Sequence, residues 1–149
     1  MSLRVRGGIT ASLGIALGLA ACGGGTLYST GAGSSNLTRD DAYQCAQKQL
    51  GAMGYKTNVR DDDARRYVAQ KNDSTYKESN IKFRRRYSAI ELQAQTSATG
   101  GSDLAVKAST FDEYSTERGI TTVETTASSA VKTDAAALLD RCKEPPAGM

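Results

Sequence analysis

The sequence predicts an α+β fold, a two-layer sandwich in which two helices lie on one face of a sheet of about four antiparallel strands. Three observations predict this class. Apolar residues recur at helical spacing near both ends of residues 37–143. Between these segments apolar and polar residues alternate, as in strands covered on one side. Clusters of turn-forming residues separate the alternating segments, which favours antiparallel connections. Helices flanking such a meander form two layers.

The first 21 residues are predicted to be a signal peptide and not part of the fold. Arg4 and Arg6 precede residues 9–21, which carry no charge. Thirteen helical residues would span about 20 Å, well short of the roughly 30 Å hydrocarbon core of a membrane. An export signal is therefore favoured over a membrane span.

The tetrapeptide Leu19-Ala20-Ala21-Cys22 ends this segment. It resembles the lipobox of bacterial lipoproteins, before whose cysteine signal peptidase II cuts. The resemblance implies that Cys22 is the acylated first residue of the mature chain, where two or three acyl chains such as palmitate give a stable anchor. Gly23, in place of the Asp that retains lipoproteins in the inner membrane, favours the outer membrane facing the periplasm. The alternative is an ordinary secretory signal cut near Ala21, with Cys22 left free.

Four segments follow from this interpretation: a signal peptide (residues 1–21), a lipidated cysteine with a Gly/Ser tether (22–36), a single domain (37–143) and a loose tail (144–149). Such a tether would reach roughly 20 Å. Without the two signal arginines, 17 Lys and Arg face 16 Asp and Glu. This near-neutral balance gives no electrostatic reason to expect a nucleic-acid partner.

The first predicted helix begins after Thr38, an N-cap candidate with Asp41 three residues later. Gly54 is the natural end of this helix. Its apolar positions recur at helical spacing: Ala42, Cys45, Ala46, Leu50 and Met53.

Residues 55–59 and 64–71 are predicted to be strands joined by a turn at residues 61–63, which are three aspartates. These aspartates lack the alternate acidic positions, central Gly and closing Glu of an EF-hand loop, so a solvated turn is favoured over a cation site. Residues 72–80 are polar and predict a loop, whereas residues 81–86 are ambiguous.

The clearest hairpin pairs residues 90–94 with residues 104–108 across a turn at residues 99–103, and its second strand extends toward Tyr114. Residues 116–122 predict another loop. The final helix is expected to begin between Thr122 and Ser129 and to end before Pro145. One stripe of this helix is apolar: Val131, Ala135, Leu138, Leu139 and Cys142.

Two cysteines remain once Cys22 is assigned to lipid. An even remainder in an exported protein favours a disulfide between Cys45 and Cys142. Two buried free thiols are the alternative, and a metal pair is disfavoured because the chain has no histidine. Each cysteine falls on the apolar stripe of its helix, so helices on one sheet face could be joined directly.

The domain also resembles small exported lipoproteins of uncharacterised function. The similarity lies in Cys45 on a first helix, the exit Met53-Gly54-Tyr55, and a last helix that ends at Cys142. It implies no active site.

Residues 82–87 concentrate positive charge beside two aromatic residues, and this segment is a possible anion contact. Its cations are Lys82, Arg84, Arg85 and Arg86. Guanidinium groups bind phosphate and carboxylate well, so envelope lipids or polymers are the expected ligands. The alternative is a charged edge segment that discourages sheet aggregation and is neutralised by the aspartates at residues 61–63.

The function predicted is that of a lipid-anchored envelope lipoprotein with a non-catalytic binding or accessory domain. The chain contains no histidine, which excludes Ser-His-Asp and Cys-His catalysis, and no cofactor or metal is expected. The expected partners are membrane lipid, through Cys22, and an envelope protein or anionic envelope polymer. An envelope-acting enzyme and a structural subunit of an outer-membrane assembly are the alternatives.

Overall fold

The computed structural model describes residues 26–145. The elements in chain order are β1 (Ser29–Ser35), α1 (Arg39–Ala52), β2 (Lys56–Asp61), β3 (Arg66–Asp73), β4 (Phe83–Thr96), β5 (Ser102–Thr116), β6 (Gly119–Thr125) and α2 (Ser129–Arg141). The predicted α+β class is confirmed, although the antiparallel sheet has six strands and not about four. The signal peptide, the lipobox with Cys22 and the last four residues lie outside the described range.

The sheet has the strand order β1-β5-β4-β3-β2, and β6 also pairs with β5. Strand β5 is long enough to have β4 along one side and two strands on the other. β1 pairs with residues 102–108 of β5, and β6 pairs with residues 110–116. The two edges of the sheet are therefore β2 on one side and the collinear β1 and β6 on the other.

The tether predicted for residues 22–36 is wrong in its second half, because Ser29–Ser35 forms β1. Its Gly/Ser composition reflects close packing and not a flexible spacer. A Cβ atom built on Gly31 would lie 3.1 Å from Cδ1 of Leu139 in α2, and one on Gly33 would lie 3.6 Å from Cδ2 of the same side chain. The small residues of β1 thus leave room for α2.

The loop predicted over residues 116–122 is also wrong. The turn occupies only Glu117 and Arg118, and β6 begins at Gly119, whose φ of 114° is readily adopted only by glycine. The strand is rich in β-branched residues, which favour the extended conformation.

Both helices begin at the kind of N-cap that the sequence predicts. The side-chain oxygen of Thr38 accepts a hydrogen bond from the backbone N–H of Asp41, and that of Ser128 accepts one from Val131. The helices pack on the same core as the central strands, which supply Ile90 and other buried residues. Neither helix among residues 26–145 is long and apolar enough to cross a membrane.

The predicted cysteine pair is confirmed. Cys45 in α1 and Cys142 at the end of α2 form a disulfide with a Cα–Cα distance of 5.9 Å. Cys142 is fully buried. The bond joins the two helices over the sheet, so one face of the sheet is covered by a covalently linked layer.

Candidate functional site

The arginine segment lies where β4 begins. Strand β3 reaches only as far as Arg86 in its pairing with β4, so the residues before Arg86 extend beyond the end of β3. On the other side, β5 continues alongside and places Glu113 opposite Arg85 and Asp112 opposite Arg86. Two basic residues therefore face two acidic ones across a strand pair.

Arg86 is held by a nearly buried carboxylate. Its Nε and Nη2 atoms each donate a 2.7 Å hydrogen bond to Asp112, whose side chain is 4% exposed. The hydrogen bond to Asp112 raises the pKa of Arg86 above its ordinary value. The Tyr76 ring lies against the guanidinium carbon, 3.3 Å from the ring centroid. These contacts hold the Arg86 side chain, which is 19% exposed, against the protein.

Arg85 is also engaged, although it stays half exposed. Its Nε and Nη2 atoms donate hydrogen bonds of 2.9 and 2.8 Å to Glu113, and its Nη1 donates one of 3.0 Å to Asn72. Arg84 is 3.9 Å from the same Glu113 carboxylate. Two guanidinium groups thus share one carboxylate, which leaves a local excess of positive charge together with exposed Lys82.

These contacts reduce the number of basic residues available for the predicted anion contact. They also show which acidic residues balance the arginines. The four basic residues do not form one free cluster, because Arg86 and Arg85 have internal partners. The alternative is a charged edge segment neutralised by residues 61–63. The neutralisation part of it is wrong, because Glu113 and Asp112 provide the negative charge for Arg85 and Arg86. The signal that would have identified them is the register of the β4–β5 hairpin, which runs without a shift from its turn to the Arg85 pair.

The sheet face away from the helices, here called the open face, carries an aromatic pair beside this segment. Side chains alternate between the two faces of a sheet along each strand. Tyr87 and Phe111 therefore lie on the face that is not occupied by the core residue Ile90. Their rings stack at 5.3 Å, and the Arg85 guanidinium is 5.2 Å from the Tyr87 ring. A shallow cavity of about 210 Å³ lies next to them, lined also by Lys107.

The turn predicted at residues 61–63 lies at residues 62–65, directly after Asp61, the last residue of β2. The Asp61 carboxylate accepts backbone hydrogen bonds from Asp63 and Ala64, at 3.1 and 2.9 Å. Asp62 instead accepts 2.8 and 3.1 Å hydrogen bonds from Arg60 and the Tyr43 hydroxyl. Over residues 26–145 no three His, Cys, Asp or Glu side chains converge as a metal site would require.

A second cavity, of about 240 Å³, lies between α1 and this turn. Its charged groups form two ion pairs, Arg65 with Asp40 and Arg60 with Asp62. The hydrogen bond from Arg65 lowers the pKa of Asp40, and the hydrogen bond from Arg60 lowers that of Asp62. Burial, followed by the hydrogen bond to Asp62, raises the pKa of Tyr43. All three pKa values move away from neutrality, which is unfavourable for acid–base catalysis at neutral pH.

No known protein family's sequence profile matches this chain, and no curated protein matches it at a significant level. Over residues 26–145 the fold therefore defines the class: a small disulfide-bonded α+β domain with both helices on one face of the sheet.

Proposed function

We propose that this chain is a bacterial envelope lipoprotein, anchored through acylated Cys22 in the outer membrane, with a non-catalytic binding or accessory domain in the periplasm. The observation that carries the proposal is the tetrapeptide Leu19-Ala20-Ala21-Cys22 after a short uncharged segment. The Cys45–Cys142 disulfide supports it, because structural disulfides persist mainly in exported proteins.

The position of β1 shortens the proposed tether. Only residues 23–28 separate Cys22 from Ser29, the first residue of β1. Six residues span at most about 20 Å when fully extended. A domain held by this linker would therefore lie close to the lipid surface, within reach of membrane-associated partners.

The paired charges favour binding or structural support over catalysis. In the cavity beside α1, each carboxylate has an arginine partner, and the pKa shifts lead away from neutrality. The charged side chains at this cavity thus pair with one another. The side chains available to bind an anionic envelope component are the exposed Lys82 and Arg84. The half-exposed Arg85 lies next to them.

Fractionation of cells that express the full chain tests the anchor. We expect the wild-type chain to incorporate labelled palmitate and to sediment with outer membranes, whereas the Cys22→Ser variant should be unlabelled and soluble. The Gly23→Asp variant is the matched control: it should remain labelled but shift toward the inner membrane. A Cys22→Ser chain that still carried label would refute the proposed anchor.

Binding to vesicles tests the narrower anion contact. The Lys82→Ser/Arg84→Ser variant should bind vesicles containing anionic lipid at least several-fold more weakly than wild type at low salt, since exposed cations act through screened electrostatics. The matched control, Lys56→Ser/Arg60→Ser, removes two exposed cations from β2 and should bind like wild type. Equal loss in both variants would show that only net charge matters.

A further inference from the structure

Strand β6 presents an unprotected edge. It pairs with β5 on one side, and within residues 26–145 no strand pairs with its other side. Ile120 and Val123 are 56% and 46% exposed, and residues 119–123 carry no charge. An exposed edge strand of this kind offers free backbone N–H and C=O groups to another strand.

The opposite edge of the same sheet shows how protection is achieved. Strand β2 is exposed throughout, but it carries Lys56, Arg60 and Asp61, and its register with β3 shifts between Thr57 and Val59. Charges and bulges are the usual devices that prevent edge-to-edge pairing. Strand β6 carries only Glu124, near its end, and has no register shift with β5. The collinear β1 also lacks charges, but β6 carries the large exposed apolar side chains Ile120 and Val123, so β6 is the part of this edge suited to pairing.

We propose that β6 pairs antiparallel with β6 of a second copy of this chain, about a two-fold axis at Thr122. This register is the one that aligns all seven residues of the strand. It sets Ile120 opposite Glu124 of the second copy and Thr121 opposite its Val123. Glu124, the acidic residue of the strand, therefore does not lie opposite Glu124 of the second copy. Ile120 and Val123 each gain a cross-strand neighbour.

The membrane geometry agrees with this two-fold symmetry. An axis normal to the joined sheet keeps equivalent atoms of both copies at one height along the axis. The Leu27 carbonyl accepts a 2.8 Å hydrogen bond from the Ala127 N–H just after β6. Leu27 therefore lies at the same height along the axis in both copies, so both linkers can enter one membrane that is perpendicular to the axis. Confinement there raises the effective concentration. This last step rests on the proposed lipid anchor, whereas the strand pairing does not.

Cysteine crosslinking of the full chain in the cell envelope tests the pairing. A Thr122→Cys substitution places two thiols opposite each other across the axis, within the Cα separation that a disulfide spans. We expect a disulfide-linked dimer on non-reducing gels, at least tenfold above that of the matched control Val59→Cys, on the exposed edge of β2. Peptide mapping should show the introduced thiols joined to each other and the Cys45–Cys142 bond intact.

A second substitution keeps the test decisive. Adding Val123→Lys to the Thr122→Cys chain introduces a charge at an exposed position of the edge and should reduce the dimer at least tenfold, while Val59→Lys should not. Failure of Thr122→Cys to crosslink in a folded chain, or a crosslink to a different protein, would overturn the pairing. If the chain is acylated but does not crosslink, only this inference fails; if it crosslinks without acylation, only the proposed anchor fails.

Discussion

Removal of the Cys45–Cys142 disulfide by the double substitution Cys45→Ala/Cys142→Ala should destabilise the domain severely. The bond closes a loop with a sequence separation of 97 residues. In the chain-entropy treatment, a loop of this length stabilises the folded state by about 4.7 kcal/mol at 25 °C. Small domains unfold with a free energy of about 5–15 kcal/mol, so this one bond is comparable to between about 30% and nearly all of a typical total.

Packing adds to that loss. Cys142 is fully buried in the core, and alanine in its place leaves a small void that costs about 1 kcal/mol. The expected total is therefore about 5–6 kcal/mol. For a domain of this size each kcal/mol lowers the melting temperature by roughly 3–5 °C, so the midpoint should fall by about 15 °C or more.

Urea and thermal unfolding of residues 26–145, followed by far-ultraviolet circular dichroism, measure this loss. Reduction of the wild-type domain should reproduce most of it, since reduction removes the crosslink and retains both sulfurs. The Arg141→Ala variant is a control. It removes an exposed 3.3 Å hydrogen bond from Arg141 of α2 to Gln49 of α1, and it should lower the free energy of unfolding by less than about 1 kcal/mol. A double-alanine variant within 1 kcal/mol of wild type would refute the entropic reasoning.

Two further predictions concern charged groups. Arg86→Met removes the partner of the nearly buried Asp112 carboxylate and should lower the free energy of unfolding by about 3–5 kcal/mol. Arg60→Met, at an exposed ion pair, should leave the free energy of unfolding almost unchanged. Urea unfolding measures both variants, and equal losses would contradict the argument. The hydrogen bond to Glu78 raises the pKa of Tyr114 from 10.0 to about 12. The folded state therefore retains the Tyr114 hydroxyl proton to a higher pH than the unfolded state. The resulting stabilisation is present below pH 10 and is lost between pH 10 and 12. Tyr114→Phe should reduce the fall in urea midpoint over that interval, and an unchanged fall would contradict the assignment.

The parts of the fold that could be predicted from the sequence are those fixed by local signals. The Thr38 cap acts within its own helical turn, so the sequence around it is sufficient. The alternation of Ile90 and Leu92 with polar neighbours marks a buried face directly, and both residues are fully buried. The cysteine pair follows from where each cysteine lies on its helix.

The two missed strands depend on distant partners. Nothing within β1 distinguishes its Gly/Ser sequence from a flexible linker. It becomes a strand because β5, about seventy residues away, supplies its hydrogen bonds, and because Leu139 fills the space above its glycines. Likewise β6 has too little apolar alternation to be recognised, and its conformation is set by pairing with β5.

The same dependence on pairing decides what the arginine segment can do. As a sequence, Arg84, Arg85 and Arg86 are three adjacent positive charges. In the fold, β5 sets Glu113 and Asp112 opposite the last two, and the buried carboxylate of Asp112 requires the Arg86 guanidinium as its partner, since an unpaired buried charge is strongly unfavourable.

Arg86, the arginine of this segment with the most buried partner, therefore stabilises the fold. We propose that ligand binding involves the side chains nearer the solvent, Lys82 and Arg84. Strand pairing also gives β6 its two different sides. One side pairs with β5, and no strand within residues 26–145 pairs with the other side. The register about Thr122 favours a second copy as the occupant, because it places Glu124 opposite Ile120 and not opposite Glu124 of the second copy. The proposed anchor would add to this by confining the copies to one membrane.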